Sequence, residues 1–300
     1  MANRHVTVAA TLALGVGVLT PVALDAQARQ QAVYVSVLDK AGVPVPDVAP
    51  TDVVVREDDV QREVLRVVPA DEPMHVAILV DNSEAAEAYI LHYRQALPPF
   101  ISTVIEASGS RGRHQISLIG LAARPTIITQ YTSDAAELLQ GVQRLFAQPE
   151  TGTHLLDALS EVSNGIVRLR AARPVIVAIV SAGPDLSNRQ HEQVLDSLRS
   201  AGAAFHALTI GLPVNLSLER GIVIERGSRE TGGVYENLLA GNALVARMKR
   251  LAAELTHQHR VIYARPQTLI PPKRVAVSAG RPELTVRGIA ATDRDGQVRP

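Results

Sequence analysis

Two short stretches, HVAILV (His75–Val80) and PVIVAIV (Pro174–Val180), limit what this chain can fold into more than any other feature. Both are nearly all apolar and rich in β-branched residues. A strand covered on both faces reads this way, and such strands belong to parallel sheets clad with helices. QISLIGLA and AFHALTIG read as further strands. Between the strands, apolar residues recur at helical spacing: Leu138, Val142 and Leu145, then Leu155, Leu159, Val162, Ile166 and Leu169, then Val194, Leu198 and Ala201. Strands alternating with amphipathic helices predict a doubly wound α/β domain over residues 74–255. Its central sheet is mostly parallel, with helices on both faces, and a last helix runs from about Asn242 to Leu255.

The flanks read differently. Over residues 32–70, VYVSVLD alternates, KAGVPVPDVAP is turn-rich, and DVVVREDDVQREVLRVVP reads as a hairpin turning near Asp58 and Asp59. Over residues 259–292 the strand pattern returns in HRVIYARP, KRVAVSA and ELTVRGIA. Neither flank holds enough apolar residue to fold alone. The two are expected to join in one small β-rich accessory unit.

The first 28 residues have the layout of a secretory signal peptide: a basic start at Arg4, an apolar run from Val6 to Leu19, then Ala26-Gln27-Ala28. The run is shorter than the ~20 apolar residues of a spanning helix, and Gly15, Gly17 and Pro21 interrupt its end. Cleavage is expected after Ala28. The mature protein is then exported, periplasmic or extracellular, with no membrane span.

Composition narrows the function classes. Thirty Lys and Arg balance thirty Asp and Glu, which leaves no electrostatic footprint for nucleic acid or anionic lipid. Aromatic residues are only 3% and Trp is absent, so platforms for stacking bases or sugars are not expected. With no Cys, disulfides, thiolate metal sites and Cys nucleophiles are ruled out together. HEQVL at His191 has Leu195 where a zinc protease needs its second His, and no Gly-x-Ser-x-Gly elbow occurs. ASGSRGR (Ala107–Arg113) lacks the Gly-Lys-Ser/Thr of a phosphate loop and lies between a helix and a strand, the wrong order for one. His257 and His259 point in different directions if the helix ends there, and His206 reads as a core histidine on an apolar strand. No catalytic residue and no cofactor-binding residue is assigned.

One motif remains. In LVDNSEAAEAY a strand runs into Asp-x-Ser and then a helix, which is how a metal-binding loop often begins. The order of segments around it resembles the von Willebrand factor type A (vWA) domain, more narrowly the exported bacterial VWFA-related proteins. DKAGVPVPDVAPTDVVVREDDVQREVLRV resembles that family's N-terminal strands, TGTHLLDAL its second metal loop, RETGGVYEN its late Thr-Gly-Gly segment, and HRVIYARP through RPELTVRG its C-terminal strands.

The resemblance implies a metal-ion-dependent adhesion site built from three loops, with Asp81, Ser83 and Thr153 as candidate metal ligands. It also implies a departure, because Ala85 stands at the last Ser position of Asp-x-Ser-x-Ser and Ala182 at the Asp of the third loop. Mg²⁺ or Mn²⁺ wants several oxygen ligands in near-octahedral geometry, and here one hydroxyl and one carboxylate are missing. Glu84 and Asp185 lie close by in sequence, on different vectors. The expected function is an exported, non-catalytic protein-binding or scaffold module that works with no metal or with weak metal binding. A metal-dependent (Mg or Mn) adhesion module and an enzyme with an unrecognised site are the alternatives.

Overall fold

The computed structural model describes residues 29–212, 217–266 and 272–291. The signal-peptide reading at residues 1–28 and the end of the C-terminal β segment at residue 292 lie outside them. In chain order, four strands come first: β1 (Arg29–Leu38), β2 (Val53–Glu57), β3 (Val60–Arg62) and β4 (Val64–Pro69). The α/β portion follows as β5 (Met74–Val80), α1 (Ile90–Glu106), β6 (Gln115–Gly120), β7 (Thr126–Thr132), α2 (Ala135–Gln143), α3 (Leu155–Leu169) and β8 (Arg173–Ser181). It continues through α4 (His191–Ala201), β9 (Ala204–Ile210), α5 (Leu218–Ile222), α6 (Ser228–Glu230), β10 (Tyr235–Leu238) and α7 (Ala243–Thr256). A π-helical turn, Val223–Gly227, joins α5 to α6. Three strands close the chain: β11 (His259–Arg265), β12 (Val275–Ala279) and β13 (Thr285–Ala290).

The central sheet has the order β10-β9-β8-β5-β6-β7, parallel except for the antiparallel edge strand β7. Strand pleating explains the all-apolar runs. Val76, Ile78 and Val80 of β5 join α1 and α7 in one buried layer, while Ala77 and Leu79 join α3 and α4 in the other. The doubly wound expectation is met.

Helix α1 carries Pro98 and Pro99 in its interior. Each removes a backbone donor, and a helix-interior proline costs about 3 kcal/mol. Burial of Tyr93, Leu97, Phe100, Ile101 and Val104 along one face of α1 outweighs that local preference.

The β-rich flanks do combine, as two facing sheets rather than one continuous layer. One sheet has the order β13-β1-β11-β4 and the other β12-β2-β3. Strands from before and after the α/β portion alternate within them: β1 lies between β11 and β13, and β12 pairs with β2. The turn at Asp58 and Asp59 closes β2 onto β3, both residues holding positive φ (46° and 68°) as a tight hairpin turn requires. The rest of the stretch read as a hairpin departs from it, since β4 crosses to the other sheet and pairs with β11. Val33, Val35, Val37, Val53, Val55, Val261 and Tyr263 fill the space between the sheets. Within it the buried Glu57 carboxylate accepts from Tyr263 Oη at 2.8 Å and from Arg62 Nε at 3.0 Å, and Arg265 lies 3.5 Å away. A buried carboxylate needs such partners.

Two arginine contacts tie this accessory unit to the core: Arg287 of β13 donates to Glu254 of α7 at 2.7 Å, and Arg173 fastens the linker. Arg173, buried at the start of β8, donates to Ala70 O at 3.1 Å, Glu72 O at 3.2 Å and Leu255 O at 2.6 Å. Its guanidinium also lies over the ring of Tyr34 in β1. The ASGSRGR connection packs on the same linker: Ser110 Oγ donates to Asp71 Oδ2 at 2.7 Å, and Arg111 reaches Glu72.

Candidate functional site

Chain order reverses direction across the sheet between β5 and β8, which are neighbours. In doubly wound sheets the crevice beyond the carboxyl ends of two such strands is where ligands sit. Asp81 directly follows β5, and Ser181 ends β8. The two meet there. Asp81 Oδ2 accepts the Ser181 hydroxyl at 2.5 Å and the Ser181 amide at 3.0 Å, while Asp81 Oδ1 accepts the Ser83 amide at 3.0 Å. Asp81 is fully buried, and these donors satisfy it.

Three loops converge on this centre. Thr153 NH donates to Pro184 O at 3.1 Å, and Thr153 O accepts from Leu186 NH at 2.8 Å, which joins the second loop to the third. Asn82, the middle residue of Asp-x-Ser, joins the first loop to the second. Its Oδ1 accepts the amides of Leu121 and Ala122 at 2.9 and 3.0 Å, and its backbone carbonyl accepts from Gln148 NH at 2.8 Å. A Cβ at Gly120 would come within 2.9 Å of Asn82 Oδ1, so this packing requires glycine there. The third loop presses on the first at the altered position: a Cβ at Gly183 would lie 2.4 Å from Ala85 Cβ.

Asp81, Ser83 and Thr153 are thus on loops knitted together, all three essentially without solvent exposure. Ser83 Oγ and Thr153 Oγ1 have no hydrogen-bond partner among the described residues. Of the two nearby acids, Glu84 turns away, its carboxylate accepting the Glu150 amide at 3.0 Å. Asp185 accepts the Ser187 amide on Oδ1 at 2.9 Å, and its Oδ2 is buried with no partner among the described residues. Ala182 contributes no side-chain oxygen.

Sequence reasoning passed over a cation at this centre. Arg220 of α5 is fully buried and threads its guanidinium under the third loop. Nη1 donates to Gly183 O at 2.6 Å and Nη2 to Ser181 O at 2.5 Å. Burial lowers its pKa, and the charges of Asp185 and then Asp81 oppose that shift. The phenol of Tyr93 in α1 is buried beside them. Its pKa is raised well above the usual tyrosine range, first by burial and then by Asp81. Nothing in LSLERGIVIERG marks Arg220 as different from a solvated helix arginine, because its partners are backbone carbonyls distant in the chain.

As ligands for a divalent ion, these residues do not fit. Ala85 offers no hydroxyl, Ala182 offers no second carboxylate, and the positive charge of Arg220 already acts on Asp185 and Asp81. Mg²⁺ gives up its waters only to several well-placed oxygens, and a dication here would also meet the repulsion of the guanidinium.

The histidines considered from sequence lie elsewhere. His191 at the start of α4 contacts Glu219 Oε2 at 2.7 Å. His257 Nδ1 lies 2.8 Å from Ala253 O, while His259 Nε2 lies 3.0 Å from Pro46 O, so the pair diverges.

Several exposed apolar residues lie on the loops around the polar centre, among exposed charges such as Glu84, Glu87 and Glu150. Leu91, Phe146, Leu186, Leu212, Leu218 and Leu239 are each more than half exposed, and all sit on segments at the carboxyl edge of the sheet. Among the described residues no helix is long and apolar enough to cross a membrane.

Residues 76–184 match the family model of the von Willebrand factor type A domain. No curated protein matches the chain by sequence. Among solved structures, a von Willebrand factor type A protein from Catenulispora acidiphila superposes with a TM-score of 0.51 at 12% identity, covering 91% of this chain and 77% of that one. Proximal thread matrix protein 1 from the mussel byssus, solved with a zinc-occupied MIDAS motif, gives 0.47 at 16% identity over 70% of this chain. This chain spans half the length of that protein. The vWF domain of the type V pili tip protein Mfa5 from Porphyromonas gingivalis gives 0.46 at 11% identity, over 62% of this chain and 96% of that one. At these identities the likeness is one of fold.

Proposed function

Because the chain carries a von Willebrand factor type A domain, matched over residues 76–184, we propose that it is an exported, non-catalytic module that binds another protein without a metal ion. The observation that carries this reading is the rim of exposed Leu91, Phe146, Leu186, Leu212, Leu218 and Leu239 around the crevice at the carboxyl edge of the sheet. Single exposed apolar residues are ordinary, but several gathered at one ligand-binding edge mark a contact surface for protein. The core of a protein interface is apolar, which suits this rim. Fold alone does not supply the partner.

Metal independence is supported by Ala85 and Ala182 in the first and third loops and by the buried Arg220 beneath them. Export is supported by the signal-like first 28 residues.

The test uses the full chain produced in its own cells, with a photo-crosslinking residue at Leu186 or Leu239 and, as control, at Val167 in α3. The expected result is a discrete protein adduct from the rim positions alone, unchanged by chelator, on a protein whose N-terminus by mass spectrometry is Arg29. Adducts that need divalent metal would refute metal-independent binding. Equal labelling from the rim and from Val167 would refute the surface, and an intact Met1 would refute export.

A further inference from the structure

We propose that the Arg220 guanidinium is the resident cation of this crevice, bracketing Ala182 from beneath the third loop and supplying beside Asp81 and Asp185 the positive charge that a divalent ion would otherwise bring. The geometry points to this in three ways. Arg220 comes from α5, outside the three loops, yet is fully buried and bonds two carbonyls of the third loop, Ser181 O at 2.5 Å and Gly183 O at 2.6 Å. A long cationic side chain is rarely buried whole unless it answers negative charge.

The negative groups are at hand. Asp81 is fully buried and is bonded by the amide and hydroxyl of Ser181, the same residue whose carbonyl accepts from Arg220, and Asp185 has a buried, unpartnered oxygen; the charges of both acids favour the protonated guanidinium. Finally, the carboxylate that would make a divalent ion worthwhile is replaced by Ala182, so one monovalent charge suffices for the acids that remain. A guanidinium suits the task because it keeps its charge when buried and presents donors in a fixed fork. Its contacts are to backbone carbonyls, so it fixes the path of the third loop as a metal ligand at position 182 would have done through a side chain.

This deepens the proposed binding face by naming what replaces the ion, and depends on that reading only for the position of the face. The test involves no partner, so its failure and that of the binding reading are separable. Mn²⁺ binding is measured by calorimetry and by the rise in melting temperature, using full-length native protein, Ala182→Asp, Arg220→Gln and the Ala182→Asp/Arg220→Gln double variant. A ligand that binds only the folded state raises its melting point, so the two readouts check each other.

Native protein and Ala182→Asp are expected to show no Mn²⁺ response, since the new carboxylate would pair with Arg220. The double variant is expected to bind Mn²⁺ at least tenfold more tightly than Ala182→Asp, and Asp81→Ala added to it should abolish that binding. A merely structural arginine would lower stability in both Arg220→Gln proteins and leave the Mn²⁺ response unmoved, which overturns the inference. Tight Mn²⁺ binding by native protein, removed by Asp81→Ala, overturns it equally. If the double variant does not fold on its own, refolding in Mn²⁺ becomes the readout, where recovery supports the resident-cation role and no recovery refutes it.

Discussion

Lowering the pH should destabilise this protein through His206, and the size of the effect follows from where that ring sits. His206 lies in β9 with 1% exposure, and neither ring nitrogen has a hydrogen-bond partner among the described residues. Facing it are Glu254 and Arg247 of α7 and Arg287 of β13. Burial pushes its pKa down to about 4; Glu254 opposes the shift, and the two arginines add to it.

In the unfolded chain the same group titrates near 6.5. The neutral ring is therefore the folded form, and the unfolded chain takes up the proton first. The stability that this difference supplies is complete above pH 6.5 and is lost as the pH falls from 6.5 towards 4. Linkage puts the loss at about 2 kcal/mol by pH 5. His114, also buried and held at about 4, adds to the loss in native protein.

His206→Leu isolates one share. The leucine keeps similar volume and removes two unsatisfied ring nitrogens, so at pH 7.5 its stability should lie within about 1 kcal/mol of native. Urea denaturation of both proteins at pH 7.5 and 5.0 gives the comparison. The native protein should lose about 2 kcal/mol more than the variant between the two conditions. Equal losses would refute the reasoning, because a ring that protonates without cost in the folded state is not held as described.

Two further predictions concern the accessory β unit. Arg173→Met strands the carbonyls of Ala70, Glu72 and Leu255, and should cost about 2–4 kcal/mol, read as a lower urea midpoint with earlier proteolysis at residues 70–73. An unchanged midpoint would show that this guanidinium does not fasten the unit. A fragment of residues 73–256 should melt below the chain that keeps both flanks, because the faces of the core contacted by the flanking strands become exposed; an equal or higher melting temperature would mean that the flanks are independent appendages.

Several features were legible from sequence because their signals are local. HVAILV and PVIVAIV declare strands covered on both faces, since pleating sends alternate side chains into two buried layers. Asp58 and Asp59 mark a hairpin because few residues tolerate positive φ. Asp81 could be placed at a strand end facing the crevice because an apolar run stops there. The three candidate loops could be named from motif order.

Other features arise only from contacts between residues distant in the chain. That β1 lies between β11 and β13 is a matter of backbone pairing across more than two hundred residues, which no local pattern encodes. The split of the flanks into two facing sheets has the same origin. Two prolines argue against α1, and only its packing against the sheet overrides them. Asn82 is the unspecified middle residue of Asp-x-Ser, and only the fold brings two amides beyond β6 to its side chain.

Arg220 is the clearest case. An arginine in a helix reads as a solvated charge, and its burial depends on where the third loop's carbonyls and two carboxylates come to rest. The sequence alone determined the sheet and the strand end at which Asp81 stands, because hydrophobic periodicity and residue identity are properties of neighbours. Tertiary structure alone decided that Arg220 is buried beneath the third loop, because its partners are carbonyls that only the fold brings to it.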